Sequence, residues 1–435
     1  MSFETRIVVL AAVLCLAVGA ISFFAATPFG SDDQNANITG LTAASSTASA
    51  ITELGQRIEA DSSNPDLHTN LGNLYLLEAR ETGDPGSYAR AEQAFQQTLG
   101  LRPGDSEALI GLSSVASGRH EFETALSFAQ QAPADDADTQ AVLGDALIEL
   151  GRYEEAFAAY DQVAELRPDV AAYTRIAYAR ELTGEVDGAV EAMSLAVDAA
   201  GTAGETAAWT RLQLGHLYFN QGDLPAATEQ YEQSLTALGG YSHASAGLAR
   251  VNAANGDYAK AAELYEGVVA RQPVLEYVIA LGDVYQASGR DDKAAAQFEL
   301  VAAIQKLYQS NGVSTDLELA LFRADHGDSA EALNLAQAAY NGRPSIHAAD
   351  ALAWALYSQG SYEEALRYSD EALRLGTRDA TLLYHAGMIH DRLGNTTEAR
   401  DRLQSAIAIN PAFSLLHSEM ALDTLERLEA AVSGE

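Results

Sequence analysis

From Leu143 onward, apolar side chains recur at steps of four and three. Leu143, Leu147 and Leu150 fall on one stripe, and Tyr153, Ala156, Phe157 and Tyr160 begin a second at once. Such spacing predicts two amphipathic helices in close succession. Gly151 lies between them. The turn between antiparallel helices calls for a residue at positive φ, which glycine adopts without a Cβ penalty, so the segment reads as helix, glycine stop, helix. Gly144 and Ala156 are small in mid-helix, which lets two helix backbones approach closely.

The unit recurs. Gly118, Gly151, Gly184, Gly222, Gly256, Gly289, Gly327, Gly360 and Gly394 follow one another at intervals of 33 to 38 residues, the period of a solenoid of helical hairpins. About ten hairpins fit the chain, at roughly 66–103, 104–133, 137–168, 170–200, 208–240, 242–273, 275–311, 313–344, 346–377 and 380–411. A helix from Phe413 to Ala431 and another near Ala50 to Ala60 suit caps over the two open ends. The first unit departs through an insertion at Glu81 to Gly86, the second through two extra residues between Gly118 and Ala125. Tyr160, Tyr231, Tyr265 and Phe298 share one register, which places a ring between neighbouring repeats.

Gly144-x6-Gly151-x4-Ala156-x3-Tyr160 followed by Pro168, and again Gly215-x6-Gly222-x4-Ala227-x3-Tyr231, resembles the tetratricopeptide repeat, or TPR. That resemblance implies an all-α, right-handed superhelical solenoid over residues 50–435. The C-terminal stretches Asp350 to Tyr357, Gly376 to Asp379 and Tyr384 to Ile389 look like those of long, exported bacterial TPR proteins. They carry no implied activity.

The first fifty residues address the compartment. Ile7 to Ala26 holds no charge and is almost wholly apolar, long enough as a helix to cross a bilayer core. Residues 1–30 therefore read as a single-pass anchor, or alternatively as a cleaved signal leading to secretion; the long apolar run and the bulky Phe24 favour the anchor. Either way the repeats are expected outside the cytoplasm, with the membrane contacted through the N-terminal helix. Residues 31–49, rich in Ser, Thr, Ala and Asn, have the composition of a flexible linker.

Composition narrows the partners. With 26 basic against 61 acidic residues the formal charge is −35, which disfavours nucleic acid, because the phosphate backbone is bound by clustered Lys and Arg. The single cysteine, Cys15, lies in the apolar segment, so no disulfide framework supports the repeats.

Catalytic and cofactor motifs are not found, and the reading is of a protein without catalysis and without a cofactor. His385 and His390, five residues apart on one helix, point too far apart to grip one metal. Asp135, Asp136 and Asp138 suit helix capping better than a calcium loop. What remains is a surface. The TPR resemblance implies that the first helix of each hairpin lines a concave groove for a protein or peptide, at its second, fifth, ninth, twelfth and thirteenth positions. Through the glycine register these include Asp145 and Glu149, Tyr178 and Glu181, His216, Phe219 and Asn220, Arg250, Asp283 and Gln286, Trp354 and Tyr357, and Asp391 and Arg392. Trp354 and Tyr357 are the candidate hot spot, with core packing the competing role for Trp354. The expected function is an extracytoplasmic scaffold for a protein partner; the alternative is an assembly factor for a secreted or respiratory enzyme, as in cytochrome maturation.

Overall fold

The computed structural model describes residues 46–433. The expected anchor and most of the linker lie outside the described residues; within them, no helix is long and apolar enough to cross a membrane. Twenty-two helices and no strands are described, numbered here in chain order. Helix α1 (Thr47–Ala60) precedes ten antiparallel pairs. The first five pairs are α2 and α3 (Pro65–Thr82, Gly86–Leu101), α4 and α5 (Ser106–Gly118, Phe122–Ala129), α6 and α7 (Ala137–Glu149, Tyr153–Leu166), α8 and α9 (Val170–Leu182, Val186–Ala200), and α10 and α11 (Glu205–Asn220, Leu224–Ala237). The others are α12 and α13 (Ser242–Ala254, Tyr258–Arg271), α14 and α15 (Leu275–Ala287, Asp291–Ser310), α16 and α17 (Asp316–Asp325, Ser329–Gly342), α18 and α19 (Ile346–Ser358, Tyr362–Ala372), and α20 and α21 (Ala380–Arg392, Thr396–Ile409). Helix α22 (Ser418–Ser433) closes the array.

Local chemistry accounts for the element boundaries. Asp105, Asp136, Asp169, Asp223, Asp257, Asp328 and Asp379 each accept a backbone N–H at a helix N-terminus, so part of the acidity serves as caps. Gly151 turns at φ 68° and Gly184 at φ 78°. Ring-on-glycine packing then joins the hairpins. A Cβ on Gly72 or on Gly111 would strike the Phe95 ring, and one on Gly215 or on Gly247 the Tyr231 ring. Each ring thus fills a gap shared by its own hairpin and the next. Tyr160 over Gly144 and Phe298 over Gly282 keep the same register.

The second hairpin corrects one expectation. Gly118 is not its turn residue: it ends α4 in helical conformation, where a Cβ would collide with the Tyr88 ring. The left-handed position falls two residues later on His120, at φ 62°. The two extra residues are the displacement of this turn. A second correction concerns the C-terminal cap. The helix expected from Phe413 starts at Ser418, and residues 411–417 form turns whose Phe413 is buried.

The largest difference is in overall shape. Repeat arrays are commonly extended, each unit touching its neighbours, yet here the winding brings distant hairpins into contact. The Ser314 amide donates to the Arg119 carbonyl at 3.3 Å. The Ile346 amide donates to the Tyr153 hydroxyl at 2.8 Å, and Arg374 reaches the Gly151 carbonyl at 3.2 Å. A Cβ on Gly151 would meet the Pro344 carbonyl oxygen, and one on Gly184 that of Gly376. Asn410 donates to the Phe219 carbonyl at 2.8 Å. The turn of each of hairpins two to five therefore abuts the segment that precedes the unit six places later. One superhelical turn takes about six hairpins, and the second rests on the first along a seam.

Candidate functional site

Closing the seam converts the concave face into an interior cleft. Its walls are first helices of the hairpins, α8, α10, α12, α14, α16, α18 and α20, together with the 411–417 segment. Two adjoining spaces of about 310 and 360 Å³ are joined by a smaller one of about 100 Å³. Arg250 and Phe413 line all three.

The register residues divide into three groups. Phe219, Asn220, Arg250 and Asp283 line these spaces, and Tyr178, Glu181, His216 and Asn220 line a neighbouring one of about 60 Å³. Arg250 lies over the Phe219 ring, its guanidinium carbon 3.8 Å from the ring centre, within cation–π range. Asn220 donates to Glu181 at 3.2 Å, and His216 meets the Tyr231 hydroxyl at 2.9 Å. The second group is internal. Asp145 forms a buried pair with Arg175 at 2.7 Å, and Glu149 faces Arg343 across the seam at 3.7 Å. Trp354 is 5% exposed, stacks on Tyr357 and on His385, and donates its indole N–H to Asp325 at 2.7 Å. It is built into the core. The third group lies at the rim: Gln286 is exposed, Arg392 reaches the Tyr357 hydroxyl at 3.3 Å, and Asp391 is held by Arg427 of α22 at 2.8 Å.

Several cleft residues fall outside the sequence-derived group. Glu276, Ile279, His347 and Asp350 occupy the second and fifth positions of their helices, the same register that gave Asp283 and Trp354, so the rule contained them. Asp325 stands two residues before Gly327, the thirteenth position that also gave Asn220 and Arg392, so the rule contained it too; Glu318, His326, His385 and His417 carried no such signal. Three of these histidines pair with aspartates: His326 with Asp283 at 3.1 Å, His385 with Asp350 at 2.9 Å and His417 with Asp325 at 3.3 Å. His385 faces Asp350 while His390 meets Asn395 at 3.2 Å. No group of metal-binding residues occurs among the described residues.

Withdrawal from bulk water shapes the charges. It pushes the Glu276 carboxyl up to about 8 against the pull of Arg250, and Glu149 up to about 8 against that of Arg343. Glu181 rises to about 7 for the same first cause. Desolvation also lowers His120 and His243 to about 4 and His216 to about 3. Near neutral pH Glu276, and Glu181 in part, therefore add little negative charge to the cleft.

The tetratricopeptide repeat family model matches residues 142–204, 212–276, 247–312 and 351–412, together more than half of the chain. No curated protein matches the chain. Among solved structures, yeast Tom70 is similar at 13% identity, covering 92% of this chain and 96% of its own, with a TM-score of 0.39. A human IFIT1 dimer with PPP-AAAA aligns at 17% identity over 76% of this chain and 78% of that one, with a TM-score of 0.47. A TPR protein of Thermus thermophilus, TTC0263, aligns at 22% identity over 41% of this chain and 93% of that one, with a TM-score of 0.36. With its hairpin turns, its ring-on-glycine packing and the matched segments in agreement, the chain belongs to the tetratricopeptide repeat family.

Proposed function

We propose that the protein is a non-catalytic scaffold that holds a segment of a partner protein in the concave cleft, outside the cytoplasm, with Ile7 to Ala26 as its membrane anchor. One observation carries the reading: the cleft already accepts non-helical chain. Residues 411–417 lie across the first helices, with Phe413 buried and the preceding Asn410 fixed to the Phe219 carbonyl. A partner segment with apolar side chains at similar spacing would meet the same walls by displacing Phe413. Burial of a few such side chains contributes about 1.5–3 kcal/mol each before ordering costs.

Photo-crosslinking in cells tests this. A crosslinker at Ile279 or Gln286 is expected to capture a discrete protein, and one at exposed Glu299 on α15 is not. Capture from Glu299 alone would place binding on the convex face. Tethering is tested separately: the chain should stay with membranes through alkaline extraction and be open to protease added outside the cell. A soluble product beginning near Ser22 or Thr27 would show a cleaved signal instead.

A further inference from the structure

Arginines inside this fold are otherwise held. Arg175 grips Asp145, and Arg343 lies between Glu149 and Glu318. Arg250 is different. Among the described residues no carboxylate comes within salt-bridge distance of it and no hydrogen bond engages its guanidinium; Phe219 beneath it is its ring contact. Its side chain is half-buried and opens into the space of about 310 Å³, whose nearby wall is made by Leu275, Ile279, Leu321 and Phe322. A guanidinium offers a planar fork of donors matched to a carboxylate, and an apolar space of this size is at the lower end of small-molecule sites.

We infer that the cleft binds a small molecule made of one carboxylate on a compact apolar body, the carboxylate on Arg250 and the body against Ile279, Leu321 and Phe322. The other charges in the space favour a single negative charge over a phosphate or a dicarboxylate. Asp283 and Asp325 already have histidine partners, and Glu318 lies beside Arg343. Glu276 has no hydrogen-bond partner among the described residues and, held protonated by its desolvated position, can donate to the second carboxylate oxygen. Phe413 lines all three adjoining spaces and so stands between them. An extended peptide would have to displace it, whereas a molecule of cavity size would not. The inference therefore needs neither the protein partner nor the tethering proposed above.

Calorimetry on the full chain, with 4-phenylbutyrate and octanoate as probes, tests it. Each should bind one molecule per chain, with the matching alcohol and amine weaker by about tenfold or more. Arg250→Gln should weaken the carboxylates by a similar factor without lowering the unfolding temperature, Arg250→Lys should be intermediate, and Glu276→Gln should retain binding. If Arg250→Gln fails to fold, Ile279→Trp, which fills the apolar end, should abolish binding on its own. Equal affinity for acid and alcohol, indifference to Arg250→Gln in a folded variant, or no binding at millimolar probe would overturn the inference. An apolar peptide that binds as its free acid but not as its amide, where octanoate does not bind, would assign the site to a chain end and overturn it equally.

Discussion

The turn glycines of hairpins three to five and those of the later hairpins look alike in sequence and do different work. Gly151, Gly184 and Gly222 sit at positive φ and also lie against backbone from the next superhelical turn, at Pro344, Gly376 and Ile409. Gly256, Gly289, Gly327 and Gly394 have the same backbone conformation, but a Cβ on any of them would meet nothing within 4 Å. In the later set glycine answers only the local demand of the turn. In the earlier set it answers a second demand, from residues roughly 190 positions away. One periodic signal thus covers two constraints, and the seam is where they separate.

Substitution should expose the difference. Gly151→Ala and Gly184→Ala combine left-handed strain, about 1–2 kcal/mol, with overpacking of about 1–3 kcal/mol. A loss of roughly 2–5 kcal/mol is expected in denaturant titration, against about 1–2 kcal/mol for Gly289→Ala and Gly394→Ala. Equal losses across the two sets would show that no seam packs against Gly151 and Gly184.

A gentler pair sits at one register. Tyr153 and Tyr258 each open the second helix of their hairpin, two residues after the turn glycine. The Tyr153 hydroxyl accepts the buried Ile346 amide, so Tyr153→Phe should cost about 1–3 kcal/mol by leaving that donor unsatisfied. Tyr258→Phe should stay within about 0.5 kcal/mol, the range of ordinary surface changes.

The repeating architecture was open to sequence reasoning because it is local. The apolar steps, the turn glycines and the Asp caps each act within one hairpin, so ten units could be counted from spacing alone. The wedge register of Tyr160, Tyr231 and Phe298 was legible for the same reason. His120 was not, since a non-glycine residue at positive φ leaves no mark in a glycine pattern. Trp354 shows the limit at the site: its register position is that of a groove residue, but Asp325, His385 and His417, which enclose it, lie 29, 31 and 63 residues away. Residues 413–417 read as the start of the capping helix, and only the winding of the array provides the cleft in which Phe413 is buried instead.

A pH dependence again compares seam and cleft. Glu149 at the seam and Glu276 in the cleft both have folded values of about 8, above the usual carboxyl range. The folded state therefore holds protons that the unfolded chain releases, and these groups make stability fall as pH rises from about 4.5 to about 8. His120, His216 and His243 have folded values of about 3 to 4. There the unfolded chain binds the extra protons, so stability is lost as pH falls from about 6.5 through that range. The unfolding temperature should be highest between about pH 4.5 and 6.5, where the two slopes oppose each other. Glu276→Gln should raise it at pH 8 and leave it nearly unchanged at pH 5; no gain at pH 8 would mean that Glu276 is ionised inside the fold.

The array closes on itself once every six hairpins and so makes its concave face an interior. Spin labels on exposed Glu154 of α7 and exposed Asn341 of α17 flank the seam at Gly151 and Pro344, and pulsed dipolar spectroscopy on the full chain reads their separation. A single short, narrow distance distribution is predicted, lengthening and broadening in Gly151→Ala. A long or broad distribution in the unaltered turn would show an open solenoid, in which neither the seam nor the enclosed cleft exists.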